Sequence, residues 1–156
     1  MSNIQEIFDK IQQDPDTKVD PEWVESWIQS IGNKEEEYHY LENKTLDIVN
    51  QEKQDTLATF MNIDKEKWLT SLSMYRYVED LQSLRLGYHI RWIRERPLGT
   101  FTLTNGGIFV RIKFTDSGTY IVCKNYGKFM QYKLDECPTF QKINAEEWLI
   151  LMANSQ

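Results

Sequence analysis

No stretch of this chain is apolar for the roughly 20 residues that a bilayer-spanning helix needs, and Glu6 and Asp9 stand where an export signal requires basic and then apolar residues. A soluble, intracellular and cytoplasmic protein is expected. Cysteine is scarce: Cys123 and Cys137 are the only two, too few for a disulfide framework and not spaced as a zinc knuckle or a redox pair, which points to reducing surroundings. Histidine is as scarce, with His39 and His89 alone, and there is no H-E-x-x-H, G-x-S-x-G or P-loop signature. Cys123 and His89 could stand side by side across a barrel as nucleophile and base; a buried structural cysteine and a surface histidine are the commoner arrangement. No catalytic residue, metal or cofactor is therefore assigned, and an enzyme is disfavoured. Nor does a glycine- or serine-rich linker divide the chain, so its two halves are expected to pack together.

What is present is core material and an uneven distribution of charge. With 40% hydrophobic and 13% aromatic residues the chain has ample apolar surface for a packed core. The net charge of −6 conceals a division: residues 1 to 80 hold 8 Lys and Arg against 18 Asp and Glu, and residues 81 to 156 hold 10 against 6. An acidic, helical region (1–86) is expected before a basic β module (87–156).

The β signal lies between Tyr88 and Ile143. In Ile108 to Phe114, Ile108, Val110, Ile112 and Phe114 alternate with Phe109, Arg111 and Lys113, the period of a strand with one face buried and one wet. Asn105-Gly106-Gly107 reads as a hairpin turn joining that strand to Thr100–Thr104, because tight primed turns need residues that accept positive φ. Further breaks at Asp116-Ser117-Gly118 and Asn125-Tyr126-Gly127 give five or six short strands, a pattern that fits a small antiparallel SH3-like barrel or bent meander. Asn144 and Glu147 form an N-x-x-E capping box opening a helix from Ala145 to Ala153.

The acidic region reads as a helical bundle. Ile4, Ile7, Phe8 and Ile11 mark one helix, and Trp23, Val24, Trp27, Ile28 and Ile31 a second, between Pro21 and Gly32. Lys34 to Asn62 is helical in composition with a break near Asn43 to Thr45. Trp68, Leu72, Tyr75, Val78, Leu81 and Leu84 recur at three and four residues, predicting a long helix from Asp64 to Leu86. The fold class is thus α+β, a helical bundle followed by an SH3-like barrel and a final helix. Trp23 and Trp27, one turn apart, are either helical core or a stripe for a protein partner.

In the β module cations interleave with aromatics. Arg91, Arg94, Arg96, Arg111, Lys113, Lys124 and Lys128 could hold phosphates while Phe109, Tyr120 and Tyr126 stack bases, as small barrels do with single strands. The same cations could equally serve only to solvate an outer face. Two function classes follow: a non-enzymatic interaction or structural protein within a larger assembly, and a nucleic-acid-binding module.

Finally, Gly87-Tyr88-His89-Ile90-Arg91-Trp92-Ile93, the L-T-N-G-G of Leu103 to Gly107, and Phe140-Gln141-Lys142-Ile143 before an acidic-start helix together resemble a module of small uncharacterised proteins of large nucleocytoplasmic DNA viruses. The resemblance implies a β-barrel module in a virion-associated or assembly protein. It carries no catalytic residue to this chain.

Overall fold

The computed structural model describes residues 37–156. The two expected helices within residues 3–31, with Trp23 and Trp27, lie outside the described residues. Within them are three α-helices, α1 (Leu46–Ala58), α2 (Lys65–Ser71) and α3 (Ala145–Asn154). There are seven strands: β1 (Tyr75–Val78), β2 (His89–Arg96), β3 (Thr100–Leu103), β4 (Gly107–Thr115), β5 (Gly118–Asn125), β6 (Lys128–Lys133) and β7 (Thr139–Lys142). The described residues divide into two compact units, 37–49 with Ile143–Gln156, and Asn50–Lys142.

In the first unit, capping accounts for both ends of α3. Asn144 Oδ1 accepts from the Glu147 N–H at 2.8 Å, while Glu147 Oε1 accepts from the Asn144 N–H at 2.9 Å, so two otherwise orphaned helix-end donors are satisfied reciprocally. The Tyr40 hydroxyl donates to the other Glu147 oxygen. At the far end Asn154 Nδ2 donates to the carbonyls of Leu41 and Lys44 at 3.0 and 2.8 Å. The expected break at Asn43 to Thr45 is where α1 begins, with Asn43 at positive φ and Thr45 Oγ1 accepting from the Ile48 N–H.

The second unit is one antiparallel sheet in the order β1-β7-β2-β4-β5-β6, with β3 also on β2. Val78, Ile90, Trp92, Phe109, Ile121, Cys123 and Tyr132 share one side and form a core cluster with Leu84 and Cys137. The sheet is strongly curled. Two strands stand between β2 and β6, about 14 Å of flat sheet at ~4.8 Å per strand, yet the Trp92 and Tyr132 rings stack at 4.1 Å. The opposite side carries Tyr75, Tyr77, Ile93, Phe101, Leu103 and Phe140, which pack with Leu57 of α1, Trp68 and Leu69 of α2, and Leu72 just after it. Those helix residues lie over the β1-β7-β2-β3 half; β4-β5-β6 contribute nothing to that cluster.

This overturns the expected architecture: the described residues show a seven-stranded antiparallel sheet with three helices and no amino-terminal helical bundle. The long helix expected from Asp64 to Leu86 stops at Ser71, and β1 begins at Tyr75. Spacings of three and four between apolar residues matched a helical stripe, but Tyr75 and Tyr77 point to one side of the sheet and Arg76 and Val78 to the other, so both faces of this strand are covered. Nor is the sheet a closed SH3-like barrel, since β1 and β6 end the strand order unpaired with each other.

Asn105-Gly106-Gly107 is not a hairpin either. Ile93 pairs with Leu103 and Arg96 with Thr100, while Ile90 pairs with Gly107 and His89 with Ile108. β3 and β4 therefore run along the same edge of β2 with one extra residue between them, a bulge that bends the strand. Gly106 has φ of +70°, and a Cβ there would sit 1.7 Å from the Ile90 carbonyl oxygen, so only glycine fits. The true hairpin is at Pro97–Gly99, where Leu98 and Gly99 both take positive φ.

Gln141 of β7 ties these parts together. Fully buried between β1 and β2, its Oε1 accepts from Arg76 Nη2 at 3.1 Å and from the Arg85 N–H at 2.7 Å. Its Nε2 donates to the carbonyls of Arg85 at 2.7 Å and Tyr88 at 3.2 Å. The buried Arg76 guanidinium also donates to the Ser83 carbonyl. Replacing Gln141 by leucine keeps the volume but strips partners from a buried cation and from backbone groups, with an expected cost of about 3–5 kcal/mol in urea unfolding. A loss below about 1 kcal/mol would show that this amide does not hold the 79–88 segment.

Lys53 of α1 is buried, and its ammonium donates to the Leu72 carbonyl at 2.9 Å, at the negative end of α2. Burial lowers its pKa from 10.5 to about 8. Between those values the unfolded chain holds the extra proton, so this residue's contribution to stability rises with pH from about 8 to 10.5 and is flat outside that window. Urea melts of wild type and Lys53→Met across the range isolate it, because other alkaline titrations cancel. Wild type should gain on the variant as pH rises; a constant difference would refute it.

Candidate functional site: a basic face on β4, β5 and β6

The side of β4-β5-β6 away from the Trp92–Tyr132 core is assembled by register. Two tight turns set it. Asn125 pairs with Lys128 across Tyr126-Gly127, both at positive φ, as a two-residue primed turn requires. One step along, Lys124 is placed opposite Phe129 and, on its other side, opposite Ile108. The next rows on this face are Arg111–Val122–Gln131 and Lys113–Tyr120–Lys133.

A second bulge decides which residues of β4 point outward. Phe109 pairs with Cys123 but Arg111 pairs with Val122, so Val110 is extra and the alternation reverses there. Ile108 consequently faces outward at 40% exposure, and Phe109 lies in the core at 5%. The single face expected from Ile108 through Phe114 does not exist, and Phe109 cannot stack on a base.

On the exposed face Phe129 is 61% accessible and has two cations near its ring, Lys124 Nζ at 5.4 Å and the Arg111 guanidinium carbon at 6.0 Å from the centroid. Such contacts contribute about 0.5–1 kcal/mol each at exposed sites. The three strands carry Arg111, Lys113, Lys124, Lys128 and Lys133 and no Asp or Glu. Among the described residues Lys133 reaches Glu136 at 3.7 Å, and no carboxylate pairs with the other four. Tyr120 is half-buried on the same face, its hydroxyl 3.1 Å from Ser117 Oγ.

Of the residues singled out from sequence, Arg111, Lys113, Tyr120 and Lys124 are thus brought together. Tyr126 is fully exposed at the tip of the β5–β6 hairpin, beside Lys128, whose side chain alternates to the other side of β6 from Phe129. Arg91 shares the outward side of β2, but its Nε is engaged by the Thr104 carbonyl at 2.8 Å. Arg94 and Arg96 alternate to the other side of β2, in the part that pairs with β3, and do not join the face. Phe129 and Lys133 complete it. Their signal was available in the Tyr126-Gly127 turn, since a two-residue loop puts Phe129 across from Lys124.

Cys123 and His89 stand on opposite sides of the sheet: Cys123 shares a row with Phe109, and His89 one with Ile108. They form no nucleophile–base pair. The Tyr75 hydroxyl lies 2.9 Å from His89 Nδ1. Among the described residues no three His, Cys, Asp or Glu side chains converge on a common metal position, and no helix is long and apolar enough to cross a membrane.

Burial pushes the Cys123 thiol up to about 11 from 9.0, which lowers its thiolate fraction near pH 8 by about a hundredfold. Cys137 is also buried, and its pKa is raised. A disulfide-exchange reagent at pH 8 should therefore titrate these two thiols only as fast as the fold opens, and at once in urea. Fast native reaction at Cys123, located by mass spectrometry, would contradict the burial.

No family model, curated protein or solved structure matches the chain, so function is read from this face.

Proposed function

We propose that the chain is a non-enzymatic binding module whose ligand surface is the outward face of β4-β5-β6, and that its ligand is a single-stranded nucleic acid. One observation carries the reading: five cations and no carboxylate on three adjacent strands, with Phe129 exposed between two of the cations. Cations positioned around an accessible ring match a strand whose phosphates and bases alternate, and stacking on an aromatic contributes about 1–3 kcal/mol per base whatever its sequence. The negative net charge does not oppose this. At about 0.1 M salt the screening length is about 10 Å, so a phosphate on the face responds to the local cations.

An intracellular setting within a larger assembly belongs to the same reading and rests on the resemblance of residues from Gly87 onward. The Trp23 and Trp27 stripe remains a candidate protein contact outside the described residues.

Fluorescence anisotropy with labelled oligo-dT tests the proposal. If Arg111, Lys113, Lys124 and Lys133 each neutralise one phosphate, log K should fall against log salt with a slope of about −3, at ~0.7 per phosphate. Phe129→Ala should weaken binding by roughly tenfold and leave the slope unchanged, and Arg111→Glu with Lys124→Glu should abolish binding. Arg94→Glu should change it less than about twofold. Binding that is insensitive to salt, or absent near physiological salt, rejects the proposal.

A further inference from the structure

β6 ends the strand order, and no described element pairs with its outer edge. In a two-residue hairpin the flanking residues exchange both backbone bonds, so Lys128, Met130 and Tyr132 direct their N–H and C=O groups at β5. Phe129, Gln131 and Lys133 direct theirs outward. No backbone group of the described residues bonds to them there, and the side chains of the same three residues lie on the basic face. The edge and the face are thus two aspects of one strand.

Edges are commonly blunted by lysine, and here Lys133 is among the residues that direct their backbone groups outward and their side chains onto the basic face. A strand carrying Asp or Glu is complementary to that charge. Its carboxylates would project onto the face beside Lys133, within the field of Lys124 and Arg111, while an apolar residue could cover Phe129. Lysine at this edge thus discriminates among partners by charge.

We infer that the outer edge of β6 takes an extended acidic segment of a partner protein as an added strand. This goes beyond the nucleic-acid reading and does not depend on it, because the affinity comes from main-chain groups that a nucleic acid would not use.

The test uses the full chain and fluorescein-labelled peptides of about eight residues, the length of an ordinary strand: alternating Glu-Val, its Thr-Val and Lys-Val counterparts, and Glu-Val with alternate amides N-methylated. The Glu-Val peptide should bind at least about tenfold more tightly than Thr-Val, with Lys-Val weakest, and N-methylation on the bonding edge should remove binding. Gln131→Pro deletes one outward N–H without touching the ladder to β5, a position where an edge strand accepts proline. It should weaken Glu-Val binding at least about tenfold. Equal binding of the N-methylated and unmodified peptides would overturn the inference, since it would show charge attraction to the face without strand addition. So would failure of wild type to bind Glu-Val. The methylated peptide keeps the test decisive should Gln131→Pro not fold.

Discussion

The side-chain amide of Gln141 is the interaction on which the described sheet depends. A carboxamide can make four hydrogen bonds, two as donor and two as acceptor, and Gln141 makes all four inside the protein with Arg76, with both backbone groups of Arg85, and with Tyr88. Each partner belongs to a different problem. Arg76 is a buried cation that would be strongly destabilising unpaired. Arg85 and Tyr88 lie in the irregular segment between β1 and β2, where the Tyr88 carbonyl also accepts from the Phe109 N–H at 3.0 Å. One residue on β7 resolves both, and so lets β1, which precedes that segment in the chain, and β2, which follows it, flank the same strand.

That central arrangement determines where surface is left over. With β1-β7-β2 as the base, the sheet curls until Trp92 meets Tyr132, which fills one side with the strands' own aromatic and aliphatic residues. The other side is shared between apolar residues of α1, α2 and the segments following them on one half and solvent on the other. The two bulges are part of the same geometry. The one at Asn105–Gly107 bends the strand away from β2, and the one at Val110 turns Phe109 inward and Arg111 outward. Without the second, the charged residues of β4 would point at the Trp92 core, so the basic face exists because of one extra residue.

Much of the β content was legible, and what was missed has identifiable causes. The capping box at Asn144 and Glu147 and the Tyr126-Gly127 turn are local: a few adjacent residues determine them and the sequence displays those residues. β1 was hidden because its apolar residues also fit a helical stripe, and only strands β7 and β2, more than ten residues away, make the extended form favourable. Asn-Gly-Gly was assigned a hairpin because such a turn and a bulge both need positive φ; the choice depends on which edge β4 pairs with. Phe109 follows from that. In the candidate site, Arg111 and Lys113 share a side because their alternation resumes beyond the bulge, and Tyr120 and Lys124 share it because they alternate along β5 without one. Gln141 showed no signal at all, since a buried, fully bonded amide looks in sequence like any surface glutamine.

Charge alone would be a weak argument for a binding face. Two cations about 7 Å apart repel by about 0.6 kcal/mol in water, less in salt, so four on one face destabilise the fold only slightly, and solvation is sufficient reason for them to be there. Phe129 is different in kind. A phenyl ring at 61% exposure forgoes most of the hydrophobic gain it would make in the core, about 1.5–3 kcal/mol for full burial, and its two flanking cations recover only part of that. Phe114 is exposed too, but among the described residues no cation stands over its ring. The combination of an accessible ring, cations beside it, and no carboxylate on three strands is what supports the proposed binding role over mere solvation. Under that proposal it also sets the order of importance: the ring first, Arg111 and Lys124 next, and the more distant lysines as a field that a ligand would feel before docking.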